Sequence, residues 1–210
     1  MADYYCALKA VSCSLDAAFL KSPYFQDLHQ LQHDAINLIP SAAKLRNKIL
    51  FKDLAVLLAG EWGEGPLRGD SVVEEKYRRI IDGVHDRLCG VIFKRHLEME
   101  HVLLSKDGCE RNERIRQMRN FMDDTKAAIG NREWSDYYLP KYYRTLRNGA
   151  YGFHELDYDF EDYLGPSLEN HLILNPQAVS GEGSYEDWFF SAEVRDSDLP
   201  WDVEDSEADW

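Results

Sequence analysis

The run HQLQH places His29 and His33 four residues apart, on one face of any helix they join, with Asp34 beside the second. That spacing suits a divalent metal. It lacks the glutamate after the first histidine that serves metallopeptidases as a general base, and no cysteine pair lies near to complete a tetrahedron. Surface histidines are the simpler reading. In HLEMEH, His96, Glu98, Glu100 and His101 fall on mixed phases of a helix and read as a solvated face. The four cysteines, Cys6, Cys13, Cys89 and Cys109, are scattered with no C-x-x-C pair, so reduced thiols of an intracellular protein are expected. Cys6 and Cys13 share one face of an expected helix and read as buried small apolar residues. A nucleophilic thiol would need a base and a lowered pKa, and neither is legible in sequence. No G-x-S-x-G, P-loop or G-x-G-x-x-G appears, and GEWGEGPLRG has glycines without the lysine and Ser/Thr that grip phosphate. The expectation is no metal, no cofactor and no catalytic residue.

A second group could bind rather than react. Arg111, Arg114, Arg116 and Arg119 precede Lys141, Arg144 and Arg147, which lie near Trp134, Tyr137, Tyr138, Tyr142 and Tyr143. Cations beside stacking rings suit single-stranded nucleic acid. The plainer reading is a solvated helix face with tyrosines closing the core. Arg111, Arg114, Arg144, Arg147, Tyr142 and Tyr143 are the candidate basic–aromatic surface.

Charge separates the chain into two parts. Residues 151–210 hold 17 acids and one base, Arg195, whereas the whole 210-residue chain is −14. The body up to residue 150 is therefore close to neutral. An acidic tail repels nucleic acid and anionic membranes and favours a protein partner with basic surface. Within YEDWFFSAEVRDSDLPWDVEDSEADW, the candidate partner-binding anchors are Trp188, Phe189, Phe190, Leu199 and Trp201. Two roles are open: an arm that orders on a partner, or a clasp folded back on the basic 111–147 surface. Ser184 and Ser206 each have an acid three residues on, where phosphorylation would add charge.

These groups need elements to hold them. Tyr4, Leu8, Val11, Leu15 and Phe19 mark a helix over 3–20. Ser22-Pro23 restarts a helix to about Asn37, and Pro40 is expected to stop it. Ser41 then caps a short helix, and ILFKDLAVLLAGEW reads as a helix apolar on most of its circumference. Ser71 with Glu74 opens the longest helix, about 72–104, supported by Glu74–Arg78 and Glu75–Arg79. Another spans about 110–129, and two short helical pieces follow around Pro140. After Tyr151 periodicity fades, with one apolar run, HLIL, as a strand or packed extended segment. No apolar run approaches the ~20 residues that cross a bilayer. No basic leader of the secretory type is present. The chain reads as an all-α domain, 1–165, an irregular multi-helix bundle around a long central helix. A mostly disordered acidic tail, 166–210, follows it.

The segment ADYYCALKAVSCSLDAAFLKSPYF resembles the helical region that follows the BTB (POZ) sheet in fungal proteins. Lys44, Leu45, Arg46, Leu50, Phe51, Asp53, Gly60 and Trp62 fill the places of a helix pair in the same region, so the resemblance covers about 2–62. The chain begins where the BTB sheet would already be complete. The resemblance implies descent from an interaction family without its dimerising sheet or cullin-adaptor surface. The expected function is a non-catalytic protein–protein interaction module, cytoplasmic or nuclear, with the tail as partner-binding or self-clasping element. The rivals are an enzyme with an unmarked acid/histidine site, or a weak nucleic-acid binder through 111–147.

Overall fold

Ten of the thirteen residues in KILFKDLAVLLAG are buried, Asp53 among them. A helix apolar on most of its circumference, with only Lys48 and Lys52 toward water, must be covered on its other sides, so the rest of the chain is arranged about it. The computed structural model describes residues 14–61, 73–104, 139–150, 168–175 and 189–202, with isolated positions 116, 120, 123, 124, 164 and 165. Within these the fold is all-α. The elements are α1 (Pro23–Gln26), α2 (Leu28–Lys44), α3 (Lys48–Gly60), α4 (Glu75–Leu104) and α5 (Leu139–Ala150), with a 3-10 turn at Asp196–Asp198. Residues 14–19 are also helical. The described residues form no strand beyond an isolated antiparallel bridge between Glu61 and Phe189.

The helix breaks differ from the sequence expectation. The chain turns at Asp27, whose carboxylate accepts the Gln30 N–H at 3.1 Å and caps a fresh helix. That helix then runs straight through Pro40 to Lys44. Proline removes one backbone bond, but burial of Ile39 and Ala42 on either side of it outweighs the local loss. The expected short helix after Ser41 is the last turn of α2. Arg46 closes the turn with φ 45°, in the left-handed region usual at this position. Asn47 then caps α3, its side chain accepting from Leu50 N–H at 2.8 Å and donating to Asp16 at 2.7 Å. Pro140 lies in the first turn of α5, where no helical N–H is needed. Positions 116, 120, 123 and 124 are helical within the expected 110–129 span.

α2 and α4 pack on α3, and Tyr77, Ile81, Val84, Leu88, Ile92 and Met99 form the buried stripe of α4. The C-terminal segment closes the remainder. Phe189, Phe190, Ala192, Val194 and Leu199 are buried in the same core, and the half-buried Trp201 meets Phe51 edge-on at 5.4 Å. Residues 168–175 and 189–202 are therefore part of the domain rather than a free tail, and the boundary expected at 165 does not separate them from the core. Composition suggested otherwise because acids far outnumber bases there and no helical periodicity marks the apolar residues. The apolar ones are spaced to fit: Ala192 and Val194 turn inward while Glu193 and Arg195 face solvent. Each large side chain buried in this way contributes about 2 kcal/mol. Residues 176–188 and 203–210, with Trp188, Ser184 and Ser206, lie outside the described residues.

The closest contact of this segment is at Gly60. Phe190 N–H donates to the Gly60 carbonyl at 2.9 Å. A Cβ on Gly60 would fall 2.0 Å from the Phe190 carbonyl oxygen and 2.5 Å from the Phe189 ring. The obstacle is partly backbone, so no rotamer change relieves it. Gly60→Ala is expected to lose about 3 kcal/mol or more of stability in urea denaturation, because the C-terminal segment must lift away.

Candidate functional site

The residues of the expected sites are distributed as follows. His33 is 82% exposed, and Asp34 is held by Tyr24 Oη at 2.6 Å, Gln30 at 2.7 Å and the His33 ring at 3.1 Å. These hydrogen bonds, Tyr24 first, hold the Asp34 carboxyl down at about 2. Among the described residues no group of three His, Cys, Asp or Glu side chains could hold a metal ion. Tyr142 and Tyr143 are buried, so neither presents a ring face on which a base could stack. They serve the core: Tyr143 packs against Phe190 at 5.9 Å and its hydroxyl meets His96 Nδ1 at 3.0 Å. Arg144 donates to the Phe189 carbonyl at 3.0 Å, and Arg147 is half-buried. Arg111 and Arg114 lie outside the described residues. Phe189, Phe190 and Leu199, expected as partner anchors, are committed to the core of their own chain.

The acids of the C-terminal segment do find cations, but on α3 and α4. Asp196 accepts from Lys48 at 2.7 Å and Lys52 at 2.6 Å. Those two hydrogen bonds, Lys48 first, hold its carboxyl at about 2. Asp198 pairs with Arg87 at 2.5 Å and also accepts the Arg195 N–H at 2.8 Å. The clasp is thus made by Lys48, Lys52, Arg87 and Arg144. The sequence signal for it is the pair of lysines four apart on one face of α3, which lies outside the 111–147 basic surface.

Segment 168–175 is fixed by a buried carboxylate. Asp53 is 1% exposed and accepts the backbone N–H groups of Ile173 at 2.8 Å and Leu174 at 2.7 Å. Asn170 closes the turn, accepting from Leu172 N–H and donating to the Asn175 carbonyl. The buried Ser191 hydroxyl accepts the His171 backbone N–H at 2.6 Å, a bond in which the imidazole ring takes no part. HLIL is therefore a packed extended turn.

Together α4 and these two segments enclose a groove with a cavity of about 340 Å³. Its floor is Val84, Leu88 and Val91, spaced to share one face of α4, with Val91 47% exposed. Arg87, His171 and Ser191 form the wall, and Glu169, Glu193 and Arg195 the rim. Arg195 lies 3.5 Å from Glu193. An apolar floor with polar groups of both signs around it suits the side chain of a protein segment. On the far side of α4, His85 Nδ1 donates to the Ala59 carbonyl at 2.7 Å. The other ring nitrogen, Nε2, lies 3.4 Å from the Cys89 sulfur. The His85–Ala59 hydrogen bond ties α4 to the end of α3.

Burial raises the Asp53 carboxyl from 3.8 to about 6, opposed by its two backbone hydrogen bonds. The fold therefore holds this proton more tightly than the unfolded chain does. The stability it contributes is full below about 4 and is lost as pH rises through about 6, a change on the order of 3 kcal/mol. Asp53→Asn cannot titrate. Urea denaturation of both proteins at pH 4.5 and pH 7 is expected to show wild type gaining on the variant at the lower pH.

Comparison with protein-family models, with curated proteins and with solved structures finds no match to this chain.

Proposed function

We propose that this chain is a non-catalytic protein–protein interaction module of BTB-like descent, and that the groove on α4 is where a segment of a partner docks. The observation that carries the reading is the construction of the groove. The C-terminal segment is drawn into the core at Phe189, Phe190 and Leu199, yet it leaves Val84, Leu88 and Val91 lining an open cavity. A segment that only sealed the core would also have covered Val91, which stays 47% exposed beside the buried Val84 and Leu88. The descent rests on the resemblance of residues 2–62 to the helical region after a BTB sheet, a lineage of adaptors.

The acids shape the choice of partner. Glu169, Glu193 and Asp202 are exposed along the segments that frame the groove or follow it. The 60 residues from 151 onward carry 17 acids. Such a field speeds encounter with a basic surface and is weakened by salt. Specificity then comes from the apolar floor, where one well-filled pocket carries most of the binding energy. The segment supplies walls rather than anchors, because its own large rings are spent on the core.

The test is a pull-down with the full chain, comparing wild type with Val91→Glu and with Arg195→Glu. Partners specific to wild type are expected to fall at least tenfold with Val91→Glu, about 1.4 kcal/mol. They should fall less with Arg195→Glu, which lies on the rim. An unchanged set of partners across both variants would remove the groove as the contact surface.

A further inference from the structure

The face of α4 opposite the core carries Phe93 and Leu97, 65% and 52% exposed. Residues 83, 86, 90, 93 and 97 follow the alternating three- and four-residue step of a two-helix seam. Gly83 and Gly90 fall on that seam, and a Cβ added to either would meet nothing within 4 Å. Each glycine weakens the helix by about 1 kcal/mol relative to alanine. The packing described within the chain needs neither. Asp86 and Lys94 are exposed on the same side, four residues before and after Gly90.

We propose that this face docks a second copy of the chain, the two α4 helices running antiparallel about a two-fold axis at Gly90. The axis sets residues equally far before and after position 90 against each other. Leu97 of one copy then meets Gly83 of the other, seven residues either side of Gly90, and fills the space its missing side chain leaves. Lys94 meets Asp86, and the symmetry makes that ion pair twice. The two Gly90 residues face each other and let the axes approach closely. A parallel pair would instead oppose Asp86 to Asp86 and leave the glycine hollows unfilled. Size and charge thus both select the antiparallel arrangement, and a surface complementary to itself fits an identical partner. This inference goes beyond the groove, which faces another side of α4, and either can fail without the other.

Sedimentation equilibrium of the full chain across micromolar concentrations tests it, with circular dichroism as the check on folding. A monomer–dimer equilibrium is expected. Phe93→Glu with Leu97→Glu should give a monomer of unchanged helix content. Gly90→Leu should weaken the dimer about tenfold or more, although it raises helix propensity. Asp86→Lys and Lys94→Asp should each weaken it about fivefold, and the double reversal should restore it. A monomer at every concentration would overturn the proposal. So would tighter association of Gly90→Leu, which marks indiscriminate apolar contact. Charge reversals without effect, or without rescue in the double variant, would overturn it equally.

Discussion

The fold depends on keeping α3 dry. Ten of its thirteen residues are buried and only the edge carrying Lys48 and Lys52 meets water, so nearly every side must be covered, and helices alone do not cover it. α2 and α4 take two sides. A third side, from Phe51 against Trp201 to the helix end at Gly60, is left to the C-terminal segment, whose Phe190 N–H donates to the Gly60 carbonyl. The missing side chain at Gly60 is what lets a backbone come that close. Removing water from the helix end and ordering the acidic segment are one event.

That event places charges where they are expensive or useful. Asp53 is the one acid within α3, and its burial is tolerated because two backbone N–H groups point at it. It converts an apolar helix side into a fixed anchor for residues 173 and 174. At the surface, Asp196 and Asp198 draw Lys48, Lys52 and Arg87 over the segment. Each of these pairs keeps one partner at least a third exposed and adds modest stability, so apolar burial sets the strength of the clasp and the charges set its register.

A long helix with one buried stripe has other sides to offer, and α4 presents two of them. One, at the edge of the buried stripe where Val91 is exposed, opens into the groove beside the C-terminal segment. The other keeps Phe93 and Leu97 in water beside glycines. Large exposed apolar side chains concentrated on one element are the usual mark of contact surfaces.

The sequence by itself determined the helices. Periodicity marked α3 as apolar throughout and α4 as long and one-sided, and proline and glycine punctuated the chain, because those signals are local. It also showed where the acidity lies. It did not show that Pro40 would be carried within a helix, or that Phe189, Phe190 and Leu199 would be core rather than anchors. Nor did it reveal the groove, whose Val84, Arg87, His171 and Ser191 come from three distant stretches. Those outcomes belong to the tertiary structure. A residue's burial depends on what arrives from elsewhere in the chain, and the bare end of α3 creates the demand that the acidic segment meets.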